Sequence, residues 1–192
     1  SDAKDFTEAD VPRLTAWAAL PQVVALGEIG LDYHYDFSPR DAQRQAFLRQ
    51  LALAHALDMP VILHVREAHG DVIDLLRARR DSLPPFVVHC YSGSWESAKI
   101  YLDMGAMLSL AGPVTFKKSA NLQDVARRVP TDRLLVETDS PYLAPEPMRG
   151  RRNDPRSVAH IARFVADLRG MPAETLAQAT WRNAHRFYRI AE

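Results

Sequence analysis

The chain repeats one pattern: a short, β-branched apolar run is followed by a polar stretch and then by a segment with apolar residues at helical spacing. The apolar runs predict five strands, at Val23 to Ile29, Val61 to Val65, Phe86 to Cys90, Ala106 to Ala111 and Leu134 to Glu137. Apolar positions at i, i+3, i+4 and i+7 between these runs predict helices. Strands that alternate with helices indicate a mostly parallel sheet with helices outside it.

The predicted helices carry recognisable end signals. Ser38 and Pro39 form an N-cap and first-turn pair for a helix that reaches about Asp58, and Gly105 is a natural end for a helix that begins at Ser94. Further helices are predicted after Asp10, near Asp71 to Arg80, from Ser119 to Pro130, from Asp154 to Gly170 and from Pro172 onward.

Four strand segments share a second feature, a metal-capable side chain close to the end of the apolar run. These segments are GEIGLDY, PVILHVR, PFVVHCYSGS and LLVETDSPYLAP, and the side chains are Glu28, His64, His89 and Asp139. In a parallel barrel the interior takes Val, Ile and Leu, while the carboxyl ends of the strands carry the chemistry. The pattern therefore predicts a TIM-barrel-type α/β fold in which these four side chains converge on one point.

Strand periodicity predicts which side chains share a face. Period two puts Glu28 with Leu26 and Val24, and it puts His64 with Arg66. A single histidine at a strand end is more often a hydrogen-bonded structural residue, but polar ligands at several successive strand ends favour a site. Imidazole together with carboxylate suits Zn, Mn, Fe or Ni, so the chemistry indicates a metallohydrolase.

Five segments in the order found here resemble the TatD family of metal-dependent deoxyribonucleases, over nearly all of the 192 residues. They are GEIGLD, the H-x-R step at His64 and Arg66, HCYSG, ETDSPYLAP and RGRRNDP. The resemblance implies a hydrolase that removes nucleotides from single-stranded DNA ends in the 3′ to 5′ direction. It also implies two divalent cations, Mg²⁺ or Mn²⁺ with Zn²⁺ as an alternative.

The resemblance assigns a role to each candidate ligand. Glu28 would bridge the two cations, and His64 and His89 would each bind one of them. Asp139 would bind a cation and orient or deprotonate the attacking water, so Glu28 and Asp139 are the predicted catalytic residues.

One departure from the family pattern concerns the start of the chain. Family members open with a strand that carries H-x-H-x-D, and the sequence shows no such strand. A full barrel has about 250 residues, so the chain is short by roughly one or two strand–helix units. We therefore expect a single hydrolase domain over residues 1–192 that forms an incomplete barrel, with the edge of its first strand unpaired.

Substrate contacts are predicted mainly at a basic cluster. Arg151, Arg152 and Asn153 follow the Asp139 strand, at the rim where a nucleic-acid backbone would approach, but charge runs are often only solvated or paired in salt bridges. Arg66 could hold a phosphate oxygen or pair with a carboxylate of the barrel.

The loop after the first strand carries two further candidates. Asp32 could orient a metal ligand, or it could be only a turn residue. Tyr35, with its neighbour His34, could stack on bases near the mouth of the barrel.

Charge and cysteine content restrict the alternatives. Lys plus Arg equals Asp plus Glu at 24 each, so DNA binding must depend on local charge. The single cysteine, Cys90, excludes an intramolecular disulfide and favours a cytoplasmic protein, and its predicted place is a buried face toward the helices. No apolar run is long enough to predict a membrane span. Two rival hypotheses remain: a barrel hydrolase for another ester or amide, and an inactive fragment that binds nucleic acid or a partner through its basic rim.

Overall fold

The computed structural model describes residues 2–191, which form an α/β fold with five strands and seven α-helices. The strands are β1 (Leu26–Asp32), β2 (Val61–Arg66), β3 (Phe86–Val88), β4 (Met107–Leu110) and β5 (Leu134–Val136). The helices are α1 (Val11–Ala18), α2 (Arg40–Ala56), α3 (His69–Arg77), α4 (Trp95–Asp103), α5 (Ala120–Arg128), α6 (Ser157–Leu168) and α7 (Ala173–Tyr188). The five predicted strands and the alternation with helices are confirmed.

The chain folds as two compact units. The first comprises Ser1–Val88 with Phe187–Ile190, and the second comprises His89–Arg186 with Ala191–Glu192. In the first unit β1, β2 and β3 are parallel, with Leu26 opposite Val61 and Leu63 opposite Val88. In the second unit β4 and β5 are parallel, with Leu108 opposite Leu134.

The alternation predicted for β2 is present. Val61, Leu63 and Val65 are buried, and the residues between them are partly exposed. His64 and Arg66 therefore share the face of β2 that is turned away from these three buried residues. On the buried side of α2, Phe47, Leu51 and Ala54 supply apolar surface to the core of the first unit.

The first strand differs from the prediction in position and in periodicity. It runs from Leu26 to Asp32 rather than from Val23 to Ile29, so Asp32 is the last strand residue and its assignment to a loop was wrong. The pairing with β2 shifts register between Leu26 and Ile29. A shift of this kind reverses the faces that follow it, so Glu28 shares a face with Asp32 and not with Leu26.

The third strand ends two residues earlier than predicted. It stops at Val88, and Cys90 has φ +43°, a left-handed conformation outside the strand. Strand periodicity therefore does not apply to Cys90, and the prediction that it lies buried on the helix-facing side was wrong, because its side chain is only partly buried.

The edge of β1 away from β2 pairs with no strand of residues 2–191, as predicted for an incomplete barrel. A side chain covers the end of this edge instead. The buried Gln43 amide accepts the N–H of Asp32 at 2.8 Å and donates to the carbonyl of Asp32 at 3.1 Å. Gln43 thereby satisfies two backbone groups that a neighbouring strand would otherwise bind.

Across residues 2–191, every helix is too short or too polar to cross a membrane.

Gly30 is a position in β1 where a side chain would collide with the backbone of β2. Its φ is +148°, and a Cβ atom there would lie 1.9 Å from the carbonyl oxygen of His64. Gly30→Ala should therefore lower the free energy of unfolding by about 2 kcal/mol or more, measured by urea denaturation.

Gly70→Ala is the matched control, because nothing lies within 4 Å of a Cβ atom at this position in α3. The control should leave stability unchanged or raise it by up to about 1 kcal/mol. Equal urea midpoints for Gly30→Ala and the unmodified protein would contradict the close approach of β1 to β2.

Candidate functional site

Glu28 and His64 lie close together on the neighbouring strands β1 and β2. His64 Nδ1 is 3.4 Å from Glu28 Oε2. The register places Gly30 opposite His64, and the absence of a side chain at Gly30 lets the two backbones approach. Both side chains remain accessible, since Glu28 is exposed and His64 is partly exposed. The two residues therefore present a carboxylate and an imidazole to the same space.

Asp32 contacts both His64 and the backbone of the turn after β1. Its Oδ2 lies 3.0 Å from His64 Nε2, while its Oδ1 accepts the backbone N–H groups of His34 and Tyr35 at 3.0 and 2.9 Å. Partial burial raises the pKa of Asp32, but the N–H of Tyr35 and the His64 ring outweigh this and hold the pKa below its ordinary value. The ionised carboxylate fixes the ring of His64 and the turn after β1 together.

His89 is held in the same manner in the second unit. Its Nδ1 lies 3.3 Å from Glu137 Oε2, and Glu137 Oε1 accepts the backbone N–H of Cys90 at 2.7 Å. Burial raises the pKa of Glu137, but hydrogen bonds from His89, Ser109 and Cys90, together with the charge of His89, bring it below the ordinary value. Glu137 is thus a buried, ionised carboxylate that orients a candidate ligand.

Sequence reasoning missed Glu137 as a site residue because it was counted as the end of the β5 strand. The sequence did contain a signal for Glu137, because a carboxylate that directly follows the apolar run Leu134, Leu135 and Val136 needs partners.

Three of the four predicted ligands meet the distance requirement for one ion. One ligand atom from each of Glu28, His64 and His89 lies within 4.8 Å of the other two. A carboxylate and two imidazoles match the donors that first-row divalent metals prefer, so the residues present fit a metal ion. These three side chains form a candidate metal site.

Asp139 follows β5 in the second unit. It has φ +54°, and its carbonyl accepts the N–H of Tyr142 at 2.9 Å, which makes a tight turn of residues 139–142. The participation of Asp139 in metal binding stays a prediction.

Asn153 holds the segment around Asp139. Its side chain is 4% exposed, and its amide donates to the carbonyls of Thr138 at 2.8 Å and Tyr142 at 2.7 Å. Both amide hydrogens are therefore used within the protein, on the residue just before the turn and on its last residue. This geometry supports a positioning role for Asn153 rather than the predicted contact with substrate.

The four arginines of the segment 149–156 differ in their contacts. Arg156 pairs with Asp154 at 2.9 Å, and the guanidinium of Arg149 lies 4.2 Å from the centre of the Phe116 ring. Arg151 and Arg152 are exposed, and their side chains make no ion pair within residues 2–191. These two arginines are the part of the predicted basic rim that remains open to a ligand.

Arg66 pairs with no carboxylate in the part of the chain that the structure describes. Its guanidinium instead lies 4.6 Å from the centre of the Tyr35 ring. The structure thus shows a ring contact for Arg66, and its contact with a phosphate of the substrate stays a prediction.

Comparison with known proteins shows which family the chain belongs to. The family model for TatD-related DNases matches residues 1–189. An uncharacterized metal-dependent hydrolase of Bacillus subtilis is 43% identical over 98% of this chain and 74% of its own length. A 3′-5′ ssDNA/RNA exonuclease TatD of Pectobacterium atrosepticum is 41% identical over 99% of this chain and 75% of its own length.

A solved structure agrees with these sequence matches. The crystal structure of YJJV, a TatD homologue of Escherichia coli, superposes with a TM-score of 0.90 at 31% identity, covering 97% of this chain and 72% of its own. The fold, the candidate ligands and the extent of these matches lead to one conclusion. The chain belongs to the family of TatD-related DNases and is a metal-dependent hydrolase.

Proposed function

We propose that the protein hydrolyses phosphodiester bonds at the 3′ ends of single-stranded DNA. The observation that carries the proposal is the group of Glu28, His64 and His89, with ligand atoms within 4.8 Å of one another, in a chain of this family. The name of the Pectobacterium relative supports both the polarity and the single-stranded substrate. Cleavage of RNA as well as DNA would fit the same name.

In the proposed reaction, the protein first orients the side chains that would bind the cation. Asp32 and Glu137 each contact one ring nitrogen of a histidine, which fixes the orientation of the ring. Glu28 adds a negative charge that offsets part of the charge of the ion. When bound, a divalent cation lowers the pKa of a water molecule and polarises a phosphoryl oxygen.

Asp139 is the proposed base. A carboxylate at this position would accept the proton of the attacking water, and Asn153 would keep the turn of Asp139 in place through Thr138 and Tyr142. In this proposal Glu28 and Asp139 are both catalytic residues. Glu28 would bind the ion, and Asp139 would accept the proton of the water.

The number and identity of the cations are part of the proposal. Glu28, His64 and His89 together provide ligands for one ion. The family resemblance implies a second ion that Glu28 would bridge, with two further histidines from an H-x-H strand that this sequence does not show. Mg²⁺ and Mn²⁺ are the preferred candidates, with Zn²⁺ as the alternative that imidazole ligands also suit. The cytoplasmic location inferred from Cys90 stays a prediction.

The rival hypotheses make different predictions for product formation. Release of 5′-mononucleotides from a single-stranded oligonucleotide labelled at its 5′ end supports the nuclease, and a shortened ladder shows the direction. Hydrolysis of a simple ester or amide without attack on the oligonucleotide would favour a related hydrolase. Oligonucleotide binding without any cleavage, at saturating Mn²⁺, would favour a protein that only binds.

Asp139→Asn should abolish turnover while leaving the fold intact. The substitution removes a proton acceptor but hardly changes volume, and a general base contributes about 10² to 10⁴ in rate. We expect kcat on a single-stranded oligonucleotide to fall at least about 100-fold with an unchanged urea midpoint. The control is Asp81→Asn, an exposed residue in the short turn before β3. Near-normal kcat in Asp139→Asn would remove this carboxylate from the mechanism.

Replacing Arg151 and Arg152 with Ala should weaken binding of single-stranded DNA evenly across sequences. Each phosphate contact contributes about 0.7 to the slope of log K against log salt, so the slope should flatten by about 1.4. The binding constant of a short oligonucleotide, measured over a range of salt, provides the test.

The control for this pair is a double replacement of Arg77 and Arg79, which lie at the end of α3 and after it, ahead of the start of β3. That variant removes the same charge and should leave the slope unchanged. An equal slope for the Arg151 and Arg152 variant and the unmodified protein would show that the basic rim is not used.

A further inference from the structure

Two exposed aromatic rings stand in the turn directly after β1. Tyr35 and Phe37 are 52% and 61% exposed, and their rings are stacked, with centroids 5.1 Å apart and planes only 3° from parallel. We call Tyr35 and Phe37 the aromatic pair. Adjoining exposed apolar surface of this kind can mark a ligand-binding site, and the parallel stacking distinguishes these two rings from a single exposed side chain.

We infer that the aromatic pair stacks with the base of the nucleotide whose phosphodiester bond lies at the metal site. The inference rests on the proposed function. Every base has a flat face that stacks on aromatic rings, and single-strand-binding proteins use such rings without sequence preference. A duplex end hides its bases in the helical stack, so this contact selects for single-stranded substrate.

One carboxylate links the aromatic pair to the candidate metal site. Oδ1 of Asp32 accepts the N–H of Tyr35, while Oδ2 contacts His64. The two carboxylate oxygens of Asp32 therefore fix the position of Tyr35 relative to His64. A base on the aromatic pair would stand at a set distance from the site of cleavage.

The turn that carries the pair is also tied to the rest of the first unit. Tyr33 donates its hydroxyl to Asp71 at 2.6 Å, and Arg40 holds Asp36 through its guanidinium at 2.9 Å. Gln43 donates to the carbonyl of Ser38 at 2.8 Å, just beyond Phe37. These contacts order the turn before any ligand binds, which reduces the entropy lost on binding.

The space beside the pair has the size and the chemistry that a nucleotide needs. A cavity of about 550 Å³ in the first unit is lined by the aromatic pair together with Glu28, Asp32 and His64. Pockets for small ligands are typically about 300 to 1,000 Å³. The same cavity thus offers rings for a base and ligands for an ion.

Arg66 supplies a positive charge at the same place. Its guanidinium lies 4.6 Å from the centre of the Tyr35 ring, and Arg66 makes no ion pair within residues 2–191. A guanidinium over an aromatic face is attracted to the ring and can still donate hydrogen bonds to a phosphate. This charge favours a nucleic acid over an apolar protein segment as the occupant of the pair.

The test compares a normal base with no base. Phe37→Leu keeps apolar volume at the position but removes the ring. Binding is measured by fluorescence anisotropy, with Ca²⁺ in place of Mn²⁺, for two oligonucleotides that differ only in whether the terminal 3′ nucleotide is abasic. Loss of one stacking contact should weaken binding about five-fold or more for the normal oligonucleotide and leave the abasic one unchanged.

Trp17→Leu is the matched control, because Trp17 is an aromatic residue of α1 in the same unit with 51% exposure. It should change neither affinity. An equal loss for both oligonucleotides in Phe37→Leu, or no loss for either, would overturn the inference. Cleavage of the normal oligonucleotide by the unmodified protein is measured alongside. If the unmodified protein cleaves it while Phe37→Leu shows no base-dependent loss of binding, the role of the aromatic pair is rejected and the proposed function is not.

Discussion

Each of the two histidines in the candidate metal site is anchored by a carboxylate, and the geometry of the site depends on these two pairs. Asp32 holds His64 at 3.0 Å in the first unit, and Glu137 holds His89 at 3.3 Å in the second. An imidazole with one nitrogen engaged in this way has a fixed ring plane, which sets the direction in which the ring can meet a cation. Both carboxylates have lowered pKa values, so they keep their charge at neutral pH.

The irregularity of β1 places the other ligand. Without the register shift between Leu26 and Ile29, a regular strand would put Glu28 on the face of Leu26, which is buried. Gly30 then allows β1 to approach the backbone of His64 more closely than any other residue could. The same strand end also holds Asp32, so one short segment positions a ligand, an anchor and the aromatic pair.

The sequence predicted the regular features of the fold, but not the contacts between distant residues. The alternation in β2 was readable because Val61, Leu63 and Val65 repeat at period two. The shift in β1 was not, since an apolar run fits several registers equally well. Asn153 was grouped with its basic neighbours because its partners, the carbonyls of Thr138 and Tyr142, lie 15 and 11 residues away. Hydrogen bonds of this kind leave no local pattern.

The anomalous X-ray signal of Mn²⁺ in crystals of the protein tests the metal site most directly. We expect a peak within about 2.0 to 2.2 Å of one atom each of Glu28, His64 and His89. The peak should weaken in Glu28→Gln, which removes the charge but keeps the shape of the side chain. An anomalous peak elsewhere in the protein, with none within bonding distance of His64 and His89 at saturating Mn²⁺, would contradict the assignment of these residues as a metal centre.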